Sequence, residues 1–182
     1  MDKMGSYIQY YVEGEDEEKL VSVLKTDLQM IIPGKISKFN AVQNKLTKAR
    51  LMNLRSDTTV VLVFDTDTDS AAILNENIKL LNAAPMVRSV ICVTQVRNLE
   101  DELIRSTDIR YIRELTGSKS DSDYKRDLIK MSNLATVLVK HGFEIKQFWV
   151  KEPIGGFSKI SNDATERLML MEAIMLLIVY LI

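Results

Sequence analysis

Imidazole and thiol are almost missing from this chain, which has one histidine, His141, and one cysteine, Cys92, in 182 residues. A lone cysteine excludes an internal disulfide framework. A lone histidine disfavours catalysis built on imidazole, and His141, in "VKHGF", reads as the last residue of a helix before Gly142. Proline and glycine are also scarce, at 3 and 7 residues. Punctuation is therefore rare, and the composition is that of one globular domain with a small appendage. The start, "MDKMGSYIQYYVEG", lacks the basic and apolar regions of a secretory signal, so a reducing, cytoplasmic setting is expected. The net charge of −1 excludes a wholesale basic coat. Any contact with nucleic acid then falls to a local patch such as "KISKFNAVQNKLTKARLMNLR".

What is present alternates. Ser6 to Val12 is a β-prone run broken by Gly14, a residue that permits a tight turn, and "EDEEKLVSVLKTDL" follows with Leu20, Val21, Leu24 and Leu28 at helical spacing. The acidic first turn suits the positive end of a helix dipole. "ISKF" is a short β-prone run, and residues 42–54 carry Val42, Leu46, Ala49 and Asn53 on one helical stripe. Thr58 to Phe64 reads as a strand, residues 71–81 as a helix and "VRSVICVTQV" as a fourth strand. Strands alternating with helices predict an α/β fold, with a parallel sheet of about four strands flanked by helices.

After Arg97 the pattern becomes helical: "LEDELIRST", "IRYIREL" and, beyond the polar "TGSKSDS", the long "DYKRDLIKMSNLATVLVKH". "FEIKQFWV" reads as a short last strand in which Trp149 is a packing residue. The organisation expected is a domain over residues 1–150 with C-terminal helical additions, then an apolar tail over 151–182. The stretch "LMLMEAIMLLIVYLI" is helical in character but only 15 residues long, where a membrane span needs about 20. A buried helix or a contact between copies, giving a homo-oligomer, is preferred to an anchor, and a membrane partner is disfavoured.

The chemistry-bearing stretch is "VVLVFDTDTDS", with Asp65, Asp67 and Asp69 at every second position behind an apolar run. Asp65, Asp67, Asp69 and Glu76 match positions 1, 3, 5 and 12 of a calcium loop. Against that reading, Ser70 stands where the loop needs glycine, and the preceding residues are strand-like, not helical. "VFDTD" also suits a phosphatase of the haloacid-dehalogenase kind, with Asp65 forming a phosphoaspartate, although that motif belongs on a first strand. The plainest reading is a solvated acidic turn. Two features weigh against it. Ligands bind at the carboxyl ends of strands where strand order reverses, and a second acidic group, Glu13 in "YVEGEDEE", ends the first strand. If strands one and three are neighbours, Glu13, Asp65 and Asp67 converge. Carboxylates that converge repel unless a cation joins them or one takes a proton, and an all-oxygen set favours Mg²⁺ or Mn²⁺ over Zn²⁺.

Glu13 of "VEG" after a first strand and the "DTD" pair Asp65 and Asp67 after a later one resemble the Toprim family over residues 6–97. Within that family the chain is similar to the nuclease branch, the overcoming-lysogenization-defect and related phage-defence proteins. The resemblance implies a Toprim-like (Rossmann-like) fold and a Mg²⁺-dependent (or Mn²⁺-dependent) nuclease acting on DNA or RNA. It also implies a role in phage defence and, as in some such systems, a partner ATPase. Glu13 is then the acid/base group, and Asp65 and Asp67 are metal ligands. Glu100, preferred to Glu102 because it comes first after the fourth strand, supplies a second metal position. A basic residue from "SKSDSDYKRDLIK" faces the developing charge, Lys125 before Lys119, with Arg126 and Lys130 also present. Asp69 is expected to cap the following helix. Tyr10, Tyr11 and Tyr124 are noted because topoisomerases use a tyrosine, although theirs lies outside this domain. Two alternatives stand beside the nuclease: a non-catalytic nucleic-acid or protein-binding module that retains the acidic residues, and the phosphatase.

Overall fold

The computed structural model describes residues 4–168. Strand β1 (Tyr7–Val12) leads into helix α1 (Glu15–Thr26). Between them the N-cap Gly14 is extended, at φ −132° and ψ −169°, so the expected tight turn is not what requires glycine. A Cβ on Gly14 would stand 2.8 Å from Asp16 Oδ1 and 2.9 Å from Glu17 Oε2. Glycine makes room for two carboxylates that fold back over the helix start. Glu17 accepts the Gly14 N–H at 2.8 Å, a reach-back that fixes where the chain enters α1. Leu20, Val21 and Leu24 are buried, as their spacing predicts.

Strand β2 (Lys35–Lys38) follows, and the helix expected over 42–54 is only α2 (Lys48–Met52). Local side chains divert the backbone before it. Asn40 Oδ1 accepts from the N–H groups of Val42 at 3.0 Å and Gln43 at 2.8 Å, and Thr47 caps α2 by accepting from Arg50 N–H at 3.3 Å. Asn and Thr compete with helical bonding in this way. Buried Asn77 then ties the loop down, accepting from Leu46 N–H and donating to the carbonyls of Ala41 and Asn44. Val42 and Leu46 are buried all the same; the apolar stripe marks burial and not helix.

Strand β3 (Thr58–Asp65), helix α3 (Ala72–Ala83) and strand β4 (Val87–Gln95) complete the sheet. Its order is β2-β1-β3-β4 with every pairing parallel, so the protein is an α/β domain with a four-stranded parallel sheet flanked by helices. Residues 60–64 of β3 are at most 1% exposed, which explains their unbroken apolar run. Val61 and Val63 join the core under α1, whereas Val60, Leu62 and Phe64 join the core under α3. Strand order reverses between β1 and β3, so a crevice opens at their carboxyl ends.

Helices α4 (Leu99–Ser106), α5 (Ile112–Thr116), α6 (Tyr124–Lys130) and α7 (Leu134–Lys140) extend the core under α1. The long helical pattern from Tyr124 is split where Met131 becomes extended, at ψ 117°. His141 caps α7 before Gly142, whose φ is +61°. "FEIKQFWV" is not a strand: it holds a single 3-10 turn, Ile145–Gln147, and Trp149 sits at φ +57°. The Trp149 N–H is taken by Glu102 Oε2 at 2.9 Å instead of by a neighbouring strand, and the ring is buried against Phe148.

The last described residues, ending in α8 (Ala164–Leu168), lie along the outer edge of β4. Asp163 N–H donates to Cys92 O at 2.9 Å, Arg167 donates to Val90 O at 3.3 Å, and Phe157 stacks on Phe64. An edge that would otherwise offer free ladder groups is covered. Beyond Leu168 the expected apolar tail lies outside the described residues. Among those described, no helix is long and apolar enough to cross a membrane.

Glu102 holds this framework together. Fully buried, it accepts from Val96 N–H and Trp149 N–H, both at 2.9 Å, and pairs with Arg105. Removing one partner of a buried pair costs about 3–5 kcal/mol. Glu102→Ala should therefore lower Tm by roughly 10 °C, while Glu100→Gln should melt within a few degrees of the unaltered protein. Thermal denaturation followed by circular dichroism checks both.

Candidate functional site

The β1–β3 register ends at Tyr11 opposite Leu62, and two steps further the chain brings Glu13 to the end of β3. Glu13 Oε1 accepts the Asp65 N–H at 3.2 Å, and its Oε2 accepts from Asn40 Nδ2 at 2.9 Å. The two residues that the sequence pairs across the switch point thus meet there. Asp65 lies opposite Gln95 of β4, so both side chains leave the same face of the sheet, the α1 face. Asp65 Oδ1, both polar atoms of the Gln95 side chain and the Tyr124 hydroxyl are buried there with no hydrogen-bond partner.

The electrostatics follow from crowding. Burial pushes the Asp65 carboxyl up to about 9, helped by the charges of Glu13, Glu17, Asp67 and Glu100. Glu13 is pushed up to about 7, first by burial and then by Asp67 and Asp16, against the Asp65 N–H and Lys125, which lower it. In the neighbouring pair, burial and the bond to Asp16 raise Glu17. Burial would raise Asp16 too, but the bond from Glu17 and the charge of Lys125 outweigh it and hold Asp16 low. The Tyr124 hydroxyl is raised by burial and by the charges of Glu100, Asp16, Glu17 and Asp65.

Lys125 supplies the internal counter-charge. Its ammonium stands 3.1 Å from Asp16 Oδ2 and 3.4 Å from Glu100 Oε1. Burial works against that charge, yet Asp16 and Glu100 outweigh it and raise Lys125. Glu100 faces Lys125 while Glu102 turns into the core. Asp67 is exposed beside Asp65 and acts on Glu13 and Asp65 through its charge.

Other expected residues fall elsewhere. Lys119 and Lys130 are exposed and make no ion pair among the described residues, and Arg126 pairs outward with Asp123 and Asp127. Asp69 does not cap α3: Ser70 Oγ accepts the Ala72 N–H at 3.3 Å instead. Tyr10 donates to Ile32 O at 2.6 Å within the core, and Tyr11 packs on Phe39. The calcium-loop reading fails because β3, not a helix, precedes the aspartates.

Three site groups go unnoticed in a reading of the sequence alone, Asp16, Glu17 and Gln95, and Tyr124 is noted there only for a topoisomerase-like role. For the first two a signal exists. Glu13, Asp16 and Glu17 are spaced i, i+3 and i+4, which puts them on one face at a helix start, whereas the acidic run reads most simply as dipole compensation. Gln95 and Tyr124 carry no local signal.

The donor set is all oxygen, and buried Asp65 Oδ1 has no partner, so the residues fit a hard divalent cation. Among the described residues no three metal-binding side chains form a ready-made cage. Compared with protein-family models, curated proteins and solved structures, the chain matches none.

The raised carboxyls carry a stability consequence. Folded Asp65 and Glu13 keep protons up to about 9 and about 7, whereas the unfolded chain releases them near ~4. Folding then takes up protons, and stability falls as pH rises through that window. The Tm of metal-free protein should drop between about pH 5 and pH 9. Asp65→Asn should flatten that drop and melt roughly 3–6 °C above the unaltered protein near pH 8. Melting curves across pH check this; equal slopes for the two proteins would contradict it.

Proposed function

We propose that the chain is a metal-dependent nuclease that cleaves phosphodiester bonds of DNA or RNA in the crevice between β1 and β3. The observation that supports this most directly is the contact of Glu13 with Asp65 at the switch point, the pairing that the Toprim resemblance expects. A role in phage defence, with a partner ATPase, is a proposal that rests on the resemblance.

Asp65 and Asp67 would hold Mg²⁺ or Mn²⁺, with Glu13 beside them. Once bound, the ion supplies charge neutralisation of the phosphate and a more acidic water. Glu13, steadied by Asn40 and the Asp65 N–H, is placed to take the proton of the attacking water. The water oxygen bonds to phosphorus as a bridging P–O bond breaks. Lys125, oriented by Asp16 and Glu100, offers a fixed positive charge to the oxygens where negative charge builds. Glu100 thus serves through Lys125, and it would be the residue to hold a second ion. The phosphatase reading would instead use Asp65 as the nucleophile.

Purified protein incubated with plasmid, single-stranded DNA and RNA should cleave in Mg²⁺ or Mn²⁺ and not in chelator. Asp65→Asn should abolish cleavage while remaining folded. Glu13→Gln should lower the rate by ~10²–10⁴-fold, and Lys125→Met by ~10²–10³-fold. Intact polynucleotides alongside phosphate release from small esters would replace this reading with the phosphatase.

A further inference from the structure

Beside the acidic crevice lies a cleft of opposite charge. It has a volume of about 440 Å³ and is lined by Lys38, Phe39, Asn44, Lys45 and Arg50, together with Glu13. Glu13 therefore belongs to both. The cations of its lining are Lys38, Lys45 and Arg50, and they belong to a segment, residues 35–55, that also contains Lys35, Lys48 and Arg55 and no Asp or Glu. That is six positive charges in one segment of a chain whose net charge is −1.

The cleft is preformed. Asn77 clamps the 41–46 loop from below with three hydrogen bonds, and Asn40 ties the loop to Glu13. Its cations are available. Lys38 and Lys45 pair with Glu15 and Glu76 at 2.7 Å, but both pairs are largely exposed, and exposed pairs exchange partners at little cost. Lys48 and Arg50 make no ion pair among the described residues. The Arg50 guanidinium lies 4.6 Å over the Phe39 ring and 5.5 Å over that of Tyr11.

We propose that this cleft holds the sugar–phosphate backbone of the substrate strand next to the bond to be cut. The inference rests on the nuclease reading and names how the substrate is gripped. Arg50 covers Phe39 and Tyr11, which are 8% and 3% exposed, so no ring is open for base stacking. Contacts are made to phosphates by Lys and Arg and to backbone oxygens by Asn44, and such contacts position a strand without reading its sequence.

Fluorescence anisotropy in chelator, with labelled single-stranded DNA and RNA oligonucleotides of mixed sequence, measures the grip without cleavage. Arg50→Gln and the double variant Lys38→Gln/Lys45→Gln should each weaken binding by roughly 5–10-fold and lower the salt dependence by about 0.7 per lost contact. Lys140→Gln, on α7, should bind like the unaltered protein, and base composition should change affinity little. Lys38 and Lys45 are exposed, so the double variant separates loss of grip from loss of folding. Unchanged affinity in both variants, an equal loss in Lys140→Gln, or a mononucleotide competing as well as the oligonucleotide would overturn the cleft. Absence of any oligonucleotide binding would overturn the cleft, and the nuclease reading would fall with it only if cleavage in Mg²⁺ or Mn²⁺ were also absent. Cleft-dependent binding with no cleavage in Mg²⁺ or Mn²⁺ would leave the cleft standing and remove the nuclease.

Discussion

Carboxyl groups that water does not fully screen, gathered at one edge of a parallel sheet, set the terms for this structure. Glu13, Asp16, Glu17 and Asp65 would repel one another if all were ionised, and burial raises three of them. The protein divides the load in several ways. Glu17 spends its carboxylate on the Gly14 N–H, Glu13 spends its own on Asn40 and the Asp65 N–H, and Lys125 sits against Asp16 and Glu100. Only the Asp65 carboxyl keeps a buried oxygen without a partner among this acidic group's hydrogen bonds, apart from the ion-paired Asp16. An uncompensated acceptor in a low-dielectric crevice favours whatever cation can reach it.

The sheet makes this arrangement possible. In the order β2-β1-β3-β4, chain connections leave β1 and β3 in opposite directions, so no loop covers the gap between their carboxyl ends. Helices α4 to α7 then close the α1 face, with Glu102 tying α4 to the Trp149 backbone. Because α6 packs on α1, Tyr124 and Lys125 reach a site whose other members come from residues 13–17, 65–67 and 100. The rigid framework and the crowded crevice are thus parts of one packing solution, and local stability is lost where the carboxyls are gathered.

Acidic and basic surfaces meet at Glu13. On one side stand groups suited to a cation, and on the other a lysine- and arginine-bearing cleft suited to an anion. The proposed phosphodiester substrate would use both, a cation at the reacting phosphate and positive charge for the flanking phosphates. Asn40 joins the two halves physically by holding Glu13 and ordering the basic loop.

Local pattern alone determined a good deal. The alternation of β-prone runs with the α1 and α3 periodicities specifies a parallel α/β sheet, and the apolar run of residues 60–64 identifies its most buried strand. Glu13, Asp65 and Asp67 are legible because strand ends at a switch point are read directly from such a pattern. Other features depended on tertiary structure. The stripe over 42–54 failed as a helix because Asn40, Thr47 and Asn77 offered better backbone partners. Likewise "FEIKQFWV" failed as a strand because buried Glu102 claimed the Trp149 N–H. Position after the fourth strand ranks Glu100 before Glu102, but only the packing of α4 and α6 turns Glu102 into the core and sets Glu100 against Lys125. Spacing along a chain reports periodicity and strand ends, whereas which charges face each other is settled only by elements distant in sequence coming together.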